Sequence, residues 1–164
     1  MSEKRIIIFT IILTIGILFG GVYVLGATNS PQVAVSQNAK ANVADSKNFD
    51  WGTIPMDKGN VEKTFTIKNT GTDTLKLYNI RTSCHCTKAY ATIEGTNSPS
   101  FGMDNVSSWL GELGAGKEAK LTVVFDPAFH GPQGTGPINR FVSVETNDKT
   151  NSKLTFTLTG TVVK

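Results

Sequence analysis

The sequence is poor in the residues that most often carry chemistry. Its 164 residues include two cysteines and two histidines. Nothing in it assembles the nucleophile, base and orienting group of a catalytic set, so no enzymatic activity is expected. The two cysteines, Cys84 and Cys86, are two positions apart, too close to staple a fold. A disulfide framework of the kind that holds small secreted domains together is thereby excluded. The Cys-X-X-Cys at a helix start that marks thiol oxidoreductases is missing as well. Charge is also scarce, at 18% of residues and a net +3. Beyond residue 27, fourteen Lys and Arg stand against twelve Asp and Glu. There is no run of basic residues and no interleaving of aromatics with Lys or Arg, so nucleic acid is not expected as a partner. No internal repeat is present, and helix formers at helical spacing are absent from the region beyond residue 45.

One long apolar run does exist. Ile6 to Ala27 holds 22 residues without a charge, preceded by Lys4 and Arg5. That length suits a helix crossing a bilayer. A signal peptide has a shorter apolar core and a small-residue cleavage site, of which a weak version lies around Val24 and Gly26. Retained anchor and cleaved signal both stand open. Thr28 occupies the place where a lipoprotein would need cysteine. No charge follows the run until Lys40, so the positive-inside rule puts the N-terminus in the cytoplasm and exports the rest. The expected location is a single-pass protein of the cell membrane with an extracytoplasmic domain, in which two cysteines meet oxidising conditions.

Three segments follow: the anchor at 1–27, a linker at 28–45, and a domain at 46–164. The linker is rich in Ala, Asn, Ser and Gln, contains Pro31 and shows no apolar periodicity, which predicts flexibility. In the domain, Val61, Lys63, Phe65 and Ile67 alternate with Glu62, Thr64, Thr66 and Lys68, the period of a half-buried strand. Asn69 to Asp73 is turn chemistry. Leu75, Leu77 and Ile80, then Thr87, Ala89 and Ala91, suggest further strands. Ala119, Leu121, Val123 and Phe125 alternate cleanly, and 138–145 and 154–163 repeat the habit. Short strands between Gly, Asn and Asp turns predict an all-β sandwich of about seven to eight strands, with Phe65, Ile67, Leu121, Val123 and Phe125 in its core. Glu94 to Gly116 breaks the rhythm and reads as a long loop carrying a short strand or helical turn near 106–110. Loops this long are often functional.

Several of these residues also form an ordered signature. Phe49-Asp50-Trp51-Gly52-Thr53-Ile54 comes first, then Gly59, Val61 and Phe65. Ile67-Lys68-Asn69-Thr70-Gly71 follows, with Leu75 and Leu77, and then Ser83-Cys84-His85-Cys86-Thr87. Later come Val124-Phe125-Asp126-Pro127, Gly131, Arg140 and Thr146-Asn147. In this the chain from Phe49 onward resembles the bacterial family called domain of unknown function 1573. The resemblance implies an immunoglobulin-like sandwich, related to major-sperm-protein and Hydin-type domains, most of which are interaction modules. It implies no established activity. The family pattern reads Cys-Gly-Cys where this chain has His85 between the cysteines.

The candidate site residues are few. Side chains at i and i+2 of a strand share one face, with Cα atoms ~6.6 Å apart at ~3.3 Å per residue. That separation is near the limit for a disulfide. It also suits two thiolates gripping one soft metal ion, copper or zinc. Three readings of Cys84 and Cys86 remain open: small buried hydrophobes, metal ligands, and a thiol–disulfide couple. His130, in a Gly/Pro loop, is the likeliest third metal ligand by type and setting. His85 replaces it if the segment turns, and Met103 offers a thioether. Gly131, Gly134 and Gly136 form no phosphate cradle, since no Lys-Ser/Thr or helix follows. Asp126-Pro127 should shape a turn. Arg140 should pair with a carboxylate or cover apolar surface with its stem. The Trp51 and Trp109 side chains should pack in the core or its rim. Asn105-Val106-Ser107 fits a glycosylation acceptor, which matters only in a eukaryotic secretory pathway. The leading expectation is a membrane-anchored, non-enzymatic interaction domain with an unknown protein partner. Soft-metal binding and thiol–disulfide exchange are the alternatives.

Overall fold

A computed structural model describes the backbone over residues 3–25 and 31–164; within the N-terminal helix it describes side chains at residues 3, 4 and 7–18. That helix, α1, spans Glu3–Leu25. Among the described residues no helix is long and apolar enough to cross a membrane. The end of the expected anchor at Ala27, the Gly26 half of the weak cleavage site and Thr28 lie outside the described residues.

The rest is the expected β-sandwich, with more strands than the seven or eight predicted. The strands are β1 (Ala41–Val43), β2 (Asn48–Pro55), β3 (Val61–Asn69), β4 (Leu75–Thr82) and β5 (Thr87–Ile93), followed by β6 (Thr96–Asn97), β7 (Leu110–Leu113), β8 (Glu118–Phe125), β9 (Gly136–Thr146) and β10 (Lys153–Val163). They form two five-stranded sheets, in the orders β1-β3-β8-β5-β6 and β2-β10-β9-β4-β7. All pairings are antiparallel except that of β2 with β10, which is parallel.

The alternation seen in the sequence is what puts the core between these sheets. In β3, Phe65 and Ile67 point inward, and across the ladder they oppose Leu121 and Ala119 of β8. Val123 and Phe125 complete that inner face. From the facing sheet Val142, Val144, Leu154, Phe156 and Leu158 are all buried. Phe65 meets Phe156 across the interior with ring centroids 4.6 Å apart. Each such side chain contributes roughly 1.5–3 kcal/mol by leaving water. Trp51 and Trp109 are partly buried against this core, as expected. Trp51 stacks on Phe125, at 5.7 Å between centroids.

Two segments depart from the sequence reading. The sheet begins inside the stretch read as a flexible linker, since β1 pairs Ala41–Val43 with Asn69–Ile67. Ala39 is fully buried, and Ser36 bridges to Asp148. No periodicity announces this, because short edge segments are held by hydrogen bonds from elsewhere. Ala41 N–H donates to the Asp148 carboxylate, and Thr70 N–H donates to the Lys40 carbonyl. The long loop after β5 is also more ordered than its Ser-rich composition suggests. Phe101 is buried and bridges Ala89, and β7 starts at Leu110.

This topology defines two ends. The β3–β4 turn lies at one end. The segment that leaves β4 after Thr82 and the one that leaves β8 after Phe125 both emerge at the other.

Candidate functional site

Cys84 and Cys86 sit in the connection between β4 and β5, at the second end of the sandwich. Here the chain turns rather than extends. Thr87 N–H donates to the Cys84 carbonyl at 3.1 Å, and Thr82 Oγ1 bonds the carbonyls of Cys84 and Thr87. The turn brings the two Cα atoms to 5.2 Å, closer than an extended strand allows, and the sulfurs are joined as a disulfide. Neither cysteine is free. The pair is unequal. Cys86 is buried in a small apolar cluster with Ile54, Phe125, Ile138 and Val162, whereas Cys84 is half-buried at its edge.

The loop after β8 delivers the third member. The Asp126 side chain accepts from Ala128 N–H at 2.9 Å, which shapes the expected turn after the strand. A single 3-10 turn, Gly131–Gly134, follows. His130 enters that turn and puts its Nε2 3.5 Å from Cys84 Sγ. The sulfurs and one His130 ring nitrogen all lie within 4.8 Å of one another, although 44 residues separate His130 from Cys86. The spatial grouping expected for Cys84, Cys86 and His130 is therefore present.

The other candidates are placed elsewhere. His85 lies in the turn, yet its exposed Nε2 faces Asp104 Oδ2 at 3.3 Å and does not belong to the cysteine group. Turning alone did not recruit it, because the middle residue of this turn points to solvent. Met103 is exposed on the loop between β6 and β7.

The residue missed by sequence reasoning is Arg140. Expected to pair with a carboxylate or to cover apolar surface with its stem, it donates Nε–H to Cys86 Sγ at 3.2 Å and Nη1–H to the Asn139 carbonyl at 3.0 Å. Its guanidinium also lies over the Phe125 ring, 5.7 Å from the centroid. Burial pushes its pKa below the ordinary arginine value. A signal did exist, since Ile138, Arg140 and Val142 share one strand parity and Ile138 and Val142 are core residues. A cation on the inner face at a strand end needs an electron-rich partner. Here it is sulfur. Cys84 Sγ accepts a further bond, from Cys86 N–H at 3.2 Å.

Exposed aromatics flank the pair. Phe129, 51% exposed, lies edge-on to His130 at 5.0 Å between ring centroids. Phe141, 43% exposed, exchanges backbone and hydroxyl hydrogen bonds with Ser83, both at 2.9 Å. Phe129 and Phe141 are thus exposed aromatics on the two segments adjoining the cysteine turn.

The fold is shared with a solved structure. A protein of unknown function from Porphyromonas gingivalis W83 superposes with a TM-score of 0.58 at 18% identity, covering 80% of this chain and 50% of that one. The chain therefore spans about half the length of that protein. The ASH/PapD-like domain 7 of human CEP192 gives a TM-score of 0.48 at 18% identity, covering 82% of this chain and 92% of that one. WR4, a C. elegans member of the MSP family, gives 0.41 at 13% identity, covering 78% of this chain and 100% of that one. No curated protein matches the chain. Residues 42–98 match the family described as protein of unknown function DUF1573.

Proposed function

We propose that this chain is an extracytoplasmic, membrane-tethered, non-enzymatic interaction module, and that it meets its protein partner through the end carrying Cys84 and Cys86. The observation that carries this reading is the set of residues next to the cysteine turn. Exposed Phe129 packs on His130, whose Nε2 lies 3.5 Å from the half-buried Cys84 sulfur, and exposed Phe141 is hydrogen-bonded through its backbone to Ser83 beside Cys84. Exposed aromatics beside polar groups are the usual anchors of protein interfaces. The partner this surface fits is a protein that presents a thiol or an apolar segment next to one.

Arg140 favours a second, compatible reading, thiol–disulfide exchange with that partner. An incoming thiolate would attack the reachable Cys84 sulfur, forming a mixed disulfide and releasing Cys86 as thiolate beside the Arg140 guanidinium. The tether rests on the sequence alone, on the uncharged run from Ile6 to Ala27 behind Lys4 and Arg5.

Mixed-disulfide trapping in cells tests the interface. The Cys86→Ser variant keeps one thiol at Cys84, and with diamide added as the two-electron oxidant it should form mixed disulfides with thiol-bearing extracytoplasmic proteins. Those adducts should fall when Phe129 and Phe141 are both changed to Ala. The control is Thr72→Cys on a background lacking both native cysteines, which puts a thiol in the turn at the opposite end. Equal adducts from Cys84 and from the control position would refute the reading. Protease added to spheroplasts should digest residues beyond 31, and protection of the domain would refute the location.

A further inference from the structure

We propose that reducing the Cys84–Cys86 disulfide creates a three-coordinate Cu(I) site, with Cys84 Sγ, Cys86 Sγ and His130 Nε2 as its ligands and Arg140 as its counter-charge. This goes beyond the interaction reading and does not depend on a protein partner.

Distance comes first. A metal bound at about 2.3 Å by thiolate and about 2.0 Å by imidazole needs donors roughly 3.7–4.0 Å apart at the corners of a triangle. His130 Nε2 already stands 3.5 Å from Cys84 Sγ, and all three donor atoms fit within 4.8 Å. Once the sulfur–sulfur bond is gone, the two sulfurs need only move apart to ordinary contact distance. The turn allows this, because its Cα atoms are 5.2 Å apart. Two donors come from one tight turn and the third from a loop that already touches it. The site therefore needs no movement of the sheets.

Charge and ligand number then choose the metal. Two thiolates around Cu(I) carry one net negative charge, and Arg140, 3.2 Å from Cys86 Sγ, supplies one positive charge beside it. Around Zn(II) the same donors are neutral, which leaves the half-buried guanidinium without a counter-charge. Zn(II) also calls for a fourth ligand in tetrahedral array. Among the described residues no carboxylate joins the group, and His85 is turned away toward Asp104. Soft thiolates in a site of low coordination number favour Cu(I).

The reaction balances with a thiol as reductant. Two thiols become one disulfide as the Cys84–Cys86 bond takes up two electrons and two protons. Cu(I) then displaces the two thiol protons. The oxidised form has no thiolate to offer, so binding is gated by redox state.

The test uses the full chain in detergent micelles. One sample is oxidised. The other is reduced with dithiothreitol and freed of it without air. Both are titrated with Cu(I) against bicinchoninate, a chromophoric chelator. The reduced protein should take one Cu(I) per chain, and the oxidised protein none. X-ray absorption of the loaded form should show two sulfur neighbours and one nitrogen. Cys84→Ser should abolish binding, with an unchanged β-type circular dichroism spectrum to show that the domain still folds. His130→Ala and Arg140→Gln should each weaken binding about tenfold or more, in line with losses on removing groups around a metal. Equal binding by the oxidised form, no loss in His130→Ala, or Zn(II) held as tightly as Cu(I) would each overturn the proposal. Failure of the partner-trapping experiment leaves these outcomes unaffected, so the two readings fail separately.

Discussion

Replacing Asp148 with Ala should cost this domain about 3–5 kcal/mol, because one buried carboxylate ties the segment at Ala41 to the loop between β9 and β10. Asp148 is fully buried. Its Oδ2 accepts from Ala41 N–H at 2.9 Å and from Asn151 Nδ2 at 3.2 Å, and its Oδ1 accepts from Thr150 N–H at 2.8 Å. Hydrogen bonds to a charged group are worth about 1.5–3 kcal/mol each, and the two short backbone bonds set the estimate. Truncation also leaves two backbone N–H groups without their acceptor. Burial raises the Asp148 pKa, but the hydrogen bonds from Ala41, Thr150 and Asn151 outweigh it and hold the pKa below the ordinary aspartate value. The folded pKa is thus below the unfolded one. The stabilisation is fully present above the unfolded value of about 3.9 and is lost as pH falls through the folded value. Urea unfolding of the parent, Asp148→Ala and Asp148→Asn at neutral pH and at about pH 3 measures both effects. Asp148→Asn should lose less at neutral pH and show a shallower acid loss than the parent. If Asp148→Ala stays within about 1 kcal/mol of the parent, or Asp148→Asn is as acid-sensitive, the carboxylate does not clamp the N-terminal segment.

Three further outcomes follow from the packing. Phe65→Ala should cost about 3–5 kcal/mol in urea unfolding, since it empties the place where Phe65 meets Phe156 at 4.6 Å; a loss below about 1 kcal/mol would contradict that core. Gly71→Ala would push a methyl group into the Asn38 carbonyl and to within 2.7 Å of the Lys40 nitrogen. The Thr70 and Thr72 amides, bonded to the carbonyls of Lys40 and Asn38, should then exchange hydrogen faster while those of β3 and β8 stay protected. Unchanged exchange would refute the close approach. The Cys84→Ser, Cys86→Ser double variant should lose only about 1.5 kcal/mol, because a loop of roughly three residues restricts the unfolded chain little. A much larger loss would make the disulfide a structural staple.

The parts of the fold legible in the sequence are those in which one side chain in two faces the core. Phe65 and Ile67, or Leu121 and Val123, carry their burial as alternation, and burial is what organises a sheet. Segment 36–43 carries no such record. It is attached by backbone donors to Asp148 and by the room that Gly71 leaves. A hydrogen-bonding partner 107 residues away has no local signature. Phe101 was hidden for a related reason, since a single buried ring in a polar loop sets no period.

The site was legible to the same partial degree. Spacing brought Cys84 and Cys86 together, because residues two apart cannot separate far in any backbone conformation. Residue type made His130 a candidate, since an imidazole in a Gly/Pro loop at a sandwich end is free to converge on another loop. A turn was expected to bring His85 to the sulfurs in place of His130; the turn forms, but it aims His85 at Asp104 and leaves His130 beside Cys84. Arg140 was the most readable omission. Its parity matches Ile138 and Val142, which places a cation on the inner face of β9, where it needs either a carboxylate or a polarisable partner. No acidic residue shares that parity at this end of the strand. Sulfur was therefore the remaining electron-rich group nearby. Cys86 Sγ accepts from Arg140 Nε–H at 3.2 Å and Cys84 Sγ lies 3.5 Å from His130 Nε2, contacts that cysteines packed only against apolar side chains do not make.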